Sequence, residues 1–295
     1  MKNKQRLYTL LVVAICLVVA AIPILKQANA QTSNTETASV DTVMVAESVA
    51  TPEAMNIATV PQGIDFSLPA LRKNSGEQIL HRSQMTISYN KEWGEPNWVA
   101  YYLTNYDLNG DVGREPEFYQ DFEIDEKHRV STFDYSRSGY DRGHMAPAGD
   151  FNNNRKAKKE TFYMTNICPQ NHTLNANSWN TLEKQCRTWA RREKGVYVVV
   201  GPIMGKNPKR IGKHNVAVPE GFFRCILSMK PGHEKAIGFI YQNNDQRQRI
   251  SHAVRSVDEV ERITGLDFFT ALPDDMEKRL ESKPNLKDWG YPKED

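Results

Sequence analysis

The sequence of 295 residues has little cysteine and almost no net charge. Its four cysteines form no C-x-x-C pair of the kind that holds structural zinc, which argues against a zinc-stabilised fold. The formal charge is +2, from 38 basic and 36 acidic residues, so any attraction to an acidic partner must be local. No internal repeat is visible, and no zinc-finger or recognition-helix pattern for reading bases occurs.

The N-terminus begins with three basic residues and continues with an apolar run from Leu7 to Leu25. It closes on Ala28-Asn29-Ala30, which has the small-residue pattern of a cleavage site. These features predict a signal peptide over residues 1–30 and export to the periplasm or the exterior. The alternative is an uncleaved membrane anchor, because the apolar run is close to the length that spans a bilayer.

Removal of residues 1–30 leaves 34 basic and 36 acidic residues, a formal charge of −2. Residues 31–70 contain five acids, no lysine or arginine, and one aromatic residue, Phe66. This composition is typical of a solvated linker, so we expect a flexible tether over 31–70 and no stable membrane association after cleavage. The remainder, residues 71–295, carries a formal charge of +3 and is long enough for one large domain.

Three cysteines follow the predicted cleavage site: Cys168, Cys186 and Cys225. Export would permit a disulfide, but an odd number leaves at least one thiol unpaired. The sequence leaves the pairing open.

Alternating and helical patterns of apolar residues predict the elements of residues 71–295. The predicted strands are 79–89, 98–103, 161–167, 196–200, 222–229 and 236–241, the last two paired as a hairpin, and the predicted helices are 178–194 and 257–263. The first of these helices carries a buried stripe of Trp179, Leu182, Cys186 and Trp189. The second ends at Gly265, and the tail from Pro273 is polar. We therefore predict the α+β class, with a mostly antiparallel sheet and packed helices in a single catalytic domain.

The segment DRGHMAPAGD, Asp141 to Asp150, concentrates chemically active side chains. Arg142 offers a bidentate fork to a phosphate or carboxylate, and His144 can take up a proton near neutral pH. Gly143 and Pro147 disfavour a helix, so we expect these side chains to stand on a turn. The alternative is a capped surface turn whose histidine is already hydrogen-bonded.

A second segment, Thr165 to Glu183, reads TNICPQNHTLNANSWNTLE and is rich in asparagine. Together with DRGHMAPAGD, its blocks TNICPQ and LNANSWNTLE resemble the DNA/RNA non-specific endonucleases, the ββα-metal nucleases that include endonuclease G. The resemblance extends more loosely from about Leu71 to Trp289. It implies the ββα-metal nuclease fold and hydrolysis of phosphodiester bonds.

The resemblance also assigns roles to three residues. His144 matches the general base of the family, and Asn175 matches its metal ligand. Glu183 matches a residue that orients water around the metal, although a lone helical glutamate otherwise suggests a solvated face. Mg²⁺, or alternatively Mn²⁺, is the expected cofactor, because Mg²⁺ keeps several waters and a single asparagine oxygen can complete its shell with water and phosphate.

Further residues match the family with competing interpretations. Arg142 either contacts substrate or pairs with a neighbouring aspartate to brace the turn. Arg114 is the best match to an upstream arginine that faces the phosphate, with Arg129 and Arg137 as competing positions. Asn166 matches an active-site asparagine, with a structural role at a strand end as the alternative.

The predicted partners are DNA and RNA, bound through backbone phosphates, and a possible inhibitor protein; the oligomeric state stays open. Three basic runs are candidates for phosphate contact or for solvated faces: 155–159, 187–194 and 206–213. One alternative function is a phosphodiesterase acting on nucleotides or small phosphodiesters. Another is a nucleic-acid-binding protein that has lost catalysis.

Overall fold

An antiparallel sheet of seven strands organises the computed structural model, which describes residues 65–70 and 76–291. The strands in chain order are β1 (Glu77–His81), β2 (Thr86–Asn90), β3 (Glu95–Leu103), β4 (Asp141–His144), β5 (Ile167–Gln170), β6 (Val196–Ile203), β7 (Arg210–Ile211), β8 (Val216–Ala217), β9 (Gly221–Ser228), β10 (Lys235–Gln242) and β11 (Val254–Arg255). The large sheet has the order β1-β2-β3-β6-β9-β10-β11, and β4-β5 and β7-β8 form separate two-stranded ribbons.

The part of the chain that the structure describes also contains six α-helices. They are α1 (Asn105–Leu108), α2 (Arg155–Glu160), α3 (Asn180–Glu193), α4 (Ile250–Ala253), α5 (Val257–Thr264) and α6 (Asp274–Glu281). None of the described helices has the length and apolar character needed to cross a bilayer. The signal peptide and the alternative anchor, both predicted within residues 1–30, lie outside the described residues.

Strand β6 lies at the centre of the sheet and separates two cores. Val198 and Val200 belong to one buried cluster, which also holds the apolar stripe of α3. Val199 belongs to another, which includes Val260 of α5 and Leu280 of α6. Alternate side chains of a strand point to opposite faces, so α3 covers one face of the sheet and α5 and α6 cover the other. The predicted α+β fold with a mostly antiparallel sheet is confirmed.

Two predicted strands differ in the structure. Residues 79–89 form two strands, β1 and β2, because the chain turns between them and the backbone N–H of Arg82 donates to Met85 O at 2.8 Å. The predicted strand 161–167 is wrong: Met164–Asn166 is a 3-10 turn, and β5 begins only at Ile167. The cause is Asn166, whose side chain binds backbone groups and closes this segment into a turn.

The predicted linker and polar tail both contain packed residues. Phe66 is only 4% exposed and packs edge-on against Tyr197, with ring centroids 5.3 Å apart. Phe66 therefore packs onto the domain although it falls within the predicted linker 31–70, of which residues 31–64 lie outside the described part of the chain. In the tail, α6 buries Leu280, and Trp289 packs against Trp189 at 5.2 Å.

The helix α3 and the hairpin β9-β10 agree with prediction. All four residues of the predicted stripe on α3 are 0–1% exposed. Strands β9 and β10 pair antiparallel, and α5 ends at Gly265 in the left-handed region with φ 65°. Cys168, Cys186 and Cys225 are all free and buried.

Candidate active site

The segment DRGH forms strand β4 instead of the predicted turn. It pairs antiparallel with β5, and His144 lies opposite Ile167. Gly143 is needed at this close approach, because an added Cβ would lie 2.3 Å from Oε1 of Gln170. The glycine that suggested a turn thus permits a tight ribbon, and the chain leaves the ribbon immediately after His144.

His144 packs against two aromatic rings and keeps one ring nitrogen without a partner. Its ring centroid lies 5.2 Å from that of Phe118 and 4.9 Å from that of Phe162. Its Nε2 is buried and has no hydrogen-bond partner among the described residues. Burial, and next the charge of Arg114, lower the pKa of His144 from 6.5 to about 3. The imidazole is therefore neutral at physiological pH, the form that accepts a proton.

Asn166 braces the chain that follows His144. Its Oδ1 accepts a hydrogen bond from the N–H of Ala146 at 2.9 Å, and its Nδ2 donates to the carbonyl oxygens of Ala146 at 2.9 Å and Thr161 at 2.8 Å. The side chain is fully buried. These bonds occupy the amide, so the geometry favours the structural role of Asn166, which lies behind the site.

Asn175 lies on a π-helical turn, Leu174–Trp179, that leads into α3. Its Nδ2 donates to Oδ2 of Asp141 at 2.9 Å. The same carboxylate oxygen lies 2.9 Å from Nδ1 of His172, an exposed histidine of the helical turn that precedes Leu174. Asp141 therefore fixes the orientation of the Asn175 amide, and Oδ1 of Asn175 remains as an oxygen donor.

Glu183 is shielded from solvent, contrary to the alternative of a solvated helix face. Its side chain is 13% exposed, and its Oε1 lies 3.9 Å from Nη2 of the fully buried Arg224. Burial raises the pKa of Glu183 from 4.5 to about 7, and Arg224 is the strongest opposing influence. Arg224 is itself held by Met145, whose carbonyl oxygen accepts from Nη2 at 3.1 Å.

Arg142 is free of the two aspartates that were expected to compete for it. Asp150 pairs with Arg187 at 2.9 Å, and Asp141 accepts a hydrogen bond from the side-chain amide of Asn175. Arg142 is exposed, and its Cζ lies 4.7 Å from the ring centroid of Phe118. Stacking on this ring leaves the fork of the guanidinium available to a ligand.

Arg114 is the upstream arginine that the fold brings to the site. Its Cζ lies 4.9 Å from the ring centroid of Phe162. Arg129 stacks on Phe122 at 4.5 Å, and Arg137 is an exposed residue with φ 56°. Of the three candidates, only Arg114 lines the cavity described next.

Two cavities with shared walls contain these side chains. One, of about 340 Å³, is lined by Arg114, Arg142, His144, Pro147, Ala148, Gly149, Asn175, Asn180, Glu183 and Arg187. The other, of about 460 Å³, is lined by Arg114, Phe118, Tyr135, Ser136, Tyr140, Asp141, Arg142 and Asn175. The predicted site residues, apart from Asn166, therefore face one continuous groove.

Arg187 and Arg224 are the functional candidates that sequence reasoning missed. In the sequence, Arg187 stands only in a run of basic residues, but it follows Glu183 by four positions and so lies on the same helix face. That spacing could have identified it. Arg224 stands in an apolar strand without a local signal, and only the fold brings it beneath Glu183. Lys158, in contrast, belongs to a basic run that was a candidate for phosphate contact but has a structural role. Its Nζ donates to Oδ1 of Asn152 at 2.8 Å.

The donors in the smaller cavity suit a hard divalent cation. Asn175 and Glu183 offer oxygen atoms, and no thiol stands among the described residues that line the cavity. Oxygen donors with room for water are the ligands that Mg²⁺ and Mn²⁺ prefer. A nearby cation would also return Glu183 to its charged form.

A free imidazole, oxygen donors and three arginines in one groove are the groups that phosphodiester hydrolysis requires. Carried by a β-ribbon and a helix, they define a class of metal-dependent nucleases. The sequence profile of the DNA/RNA non-specific endonuclease family matches residues 64–275, and the chain belongs to this family. Membership of this family makes the chain a hydrolase of phosphodiester bonds.

Individual proteins that are similar to this chain are also nucleases. The chain is 37% identical over 224 residues to the mitochondrial nuclease EXOG of Danio rerio, covering 70% of this chain and 64% of the relative. It is 34% identical over 205 residues to the mitochondrial endonuclease G of Bos taurus, covering 65% and 69%. A chain in the crystal structure of the EndoG/EndoGI complex matches with a TM-score of 0.64 and 30% identity, covering 72% of this chain and 91% of that one.

The comparisons contradict the predicted localisation. The two relatives just described are nucleases that their names place in mitochondria. An exported protein in the periplasm or the exterior is incompatible with that kinship, so the prediction of export is wrong.

Proposed function

We propose that this protein is a divalent-cation-dependent endonuclease that hydrolyses DNA and RNA, with His144 as the general base. The observation that carries the proposal is that His144, Asn175 and Glu183 line one cavity together with three arginines. Among the described residues, no element of the groove has the form of a motif that reads base edges, so we expect binding to depend on backbone phosphates.

His144 would take the proton of the attacking water at Nε2. Burial and the charge of Arg114 keep this nitrogen unprotonated in the free protein. The negative charge of a bound phosphate would raise its basicity, so proton transfer is favoured when substrate is in place. Asn166 positions the base by holding the backbone of Ala146 on both its N–H and its carbonyl oxygen.

Asn175 would hold Mg²⁺ or Mn²⁺ through Oδ1, because Asp141 occupies its Nδ2. When bound, the cation would supply positive charge to the phosphate and to the departing oxygen. Glu183 would orient water beside the cation and must be ionised to do so. Arg224 favours that ionised form from 3.9 Å away.

Arg114 and Arg142 would bind the phosphates on either side of the scissile bond, since both line the two cavities. Each guanidinium is stacked on an aromatic ring, which restricts its motion and directs its donors to the groove. Two cavities in series suit a polymer better than a nucleotide. The EndoG/EndoGI complex concerns inhibition of EndoG, and we propose that an inhibitor protein would act here by covering this groove.

Digestion of plasmid DNA and of RNA by the purified chain, with and without a chelator, tests the proposal. We expect cleavage of both in Mg²⁺, loss of cleavage with chelator, and loss in His144→Ala. His233→Ala, an exposed histidine outside the cavity, is the matched control. Undiminished cutting by His144→Ala would overturn the assignment of the base, and retention of DNA without any cleavage would overturn the activity.

A further inference from the structure

A group of carboxylates lies between α5 and α6, on the sheet face opposite to the catalytic groove. Asp258 and Glu261 belong to α5, and Glu281 ends α6. One carboxylate oxygen from each lies within 4.8 Å of the others. Three acids at this separation repel one another unless a proton or a cation lies between them.

Glu281 is the member of the group that makes the arrangement unusual. It is 2% exposed, and its Oε1 has no hydrogen-bond partner among the described residues. Two other buried acids are compensated by a cation, since Asp121 pairs with Arg82 and Asp150 pairs with Arg187. A buried carboxylate without such a partner is costly, so the site requires a positive charge from elsewhere or a bound proton.

The strongest charges around Glu281 are negative. Burial, and next the charges of Glu261, Glu277, Asp258 and Asp267, raise the pKa of Glu281 from 4.5 to about 9. Burial also raises the pKa of Glu261 to about 7. A group of acids of this kind produces the field that attracts a cation.

We propose that Asp258, Glu261 and Glu281 bind a hard divalent cation of the calcium type, separate from the catalytic cation. Two oxygens on an ion with Ca²⁺–O distances of roughly 2.4 Å lie at most about 4.8 Å apart, the limit within which these three atoms fall. Glu261 is already oriented, because the N–H of Phe268 donates to its Oε1 at 2.7 Å. Asp258 is exposed, so water has access to complete the shell.

The cation would join α5 to α6. Leu280 and Val260 pack in the same core, and the ion would replace the repulsion among the three carboxylates by their coordination to one cation. The consequence is stabilisation of the folded chain, with no part in the chemistry of the groove. This inference stands independently of the nuclease proposal.

Calorimetric titration and thermal unfolding in CaCl₂ test the site on the full chain carrying Asn175→Ala, which removes the ligand of the catalytic cation. We expect one binding event and a rise in Tm of about 5 °C at a hundredfold excess over Kd. Adding Glu281→Gln should abolish both. Glu259→Gln is the matched control, because Glu259 is the neighbouring acid on α5 but pairs with Arg255 at 3.3 Å, and it should leave both intact.

Two results would overturn the site. If CaCl₂ neither raises Tm nor gives a heat of binding, while Glu281→Gln alone raises Tm, the buried carboxyl holds a proton and no cation. If the shift persists in Glu281→Gln, calcium binds elsewhere. Should Glu281→Gln fail to fold, Asp258→Asn at an exposed position carries the test: at least a tenfold loss of calcium affinity supports the site, and unchanged affinity contradicts it.

Discussion

Glu183 and Glu281 are buried glutamates on opposite faces of one sheet, and they differ in the charges around them. Burial raises the pKa of both, to about 7 for Glu183 and to about 9 for Glu281. Arg224 lies 3.9 Å from Glu183 and favours its ionised form, whereas the strongest charges acting on Glu281 come from acids. Burial sets the direction of the shift, and the neighbouring charges decide whether the group can ionise near neutral pH.

The two regions therefore call for different ligands. The groove is lined by three arginines and a neutral histidine, which suits a phosphate accompanied by a catalytic cation. The group between α5 and α6 offers only carboxylates, which suits a cation alone.

Replacement of His144 by alanine should have the largest effect. We expect kcat for plasmid cleavage in Mg²⁺ to fall by about 10³-fold with little change in KM, because a general base acts in the transition state. The matched change in the other region, Glu281→Gln, should leave kcat unchanged. Equal losses in the two variants would remove the distinction between the groove and the acidic group.

Replacement of Glu183 by glutamine should come next, with a loss in kcat of about 10- to 100-fold. In the native protein, the folded-state pKa of about 7 means that the carboxylate forms only as pH rises through that value. We therefore expect kcat/KM measured at sub-saturating Mg²⁺ to fall below pH 7, because Glu183 is protonated there in the cation-free groove, and Glu183→Gln to remove this acidic limb. An unchanged pH profile in the variant would contradict the role of Glu183.

The raised pKa of Glu183 also predicts that the folded chain loses stability as pH rises, whereas activity increases with pH. Because the folded pKa lies above the ordinary 4.5, folded Glu183 binds a proton that the unfolded chain releases between pH 4.5 and 7. This contribution is fully present below pH 4.5 and is lost as pH rises through 7. Glu183→Gln should therefore flatten the decline in Tm between these pH values, which unfolding scans across pH would measure.

Asp141→Asn should weaken the binding of the catalytic cation by about tenfold. Asp141 orients the Asn175 amide, because its Oδ2 accepts a hydrogen bond from Asn175 Nδ2 at 2.9 Å. Titration of cleavage with Mg²⁺ measures the effect. His172→Ala removes the other partner of the same carboxylate and should leave the affinity for Mg²⁺ unchanged. A larger loss in His172→Ala than in Asp141→Asn would place the ligand elsewhere.

Arg114→Ala should have the smallest effect of the series. We expect a severalfold rise in KM and a decrease of about 1 in the slope of log affinity against log salt concentration, because one phosphate contact is lost. Arg129→Ala is the matched control, since Arg129 is used in stacking on Phe122. A change in salt dependence for Arg129→Ala alone would reverse the assignment.

Sequence patterns predicted the elements whose apolar residues follow a strict period. The stripe of α3 and the hairpin β9-β10 are examples, because burial on one face enforces the spacing. The patterns failed where side chains bind backbone. Asn166 closes a turn at the predicted strand 161–167, and Gly143 permits a ribbon at the predicted turn.

The site was predictable where chemistry resides in short motifs, and less so where it depends on tertiary packing. His144, Asn175 and Glu183 line one cavity as their motifs suggested. Arg224 lies in an apolar strand distant in sequence, and only the pairing of β6 with β9 brings it near Glu183. Phe66 is the single aromatic residue of the predicted linker and is buried. The polar composition of residues 31–70 favoured a solvated linker and so gave the wrong expectation for this residue.

Hydrolysis by the proposed mechanism requires that the His144 imidazole and the cation at Asn175 act on the same phosphate. Paramagnetic broadening of the histidine side-chain NMR signals by Mn²⁺ tests this requirement. We predict that Mn²⁺ broadens the His144 signals strongly and leaves those of His233 sharp, and that Asn175→Ala abolishes the broadening. Sharp His144 signals at saturating Mn²⁺ would contradict the account, because the base and the cation would then lie too far apart to share one scissile bond.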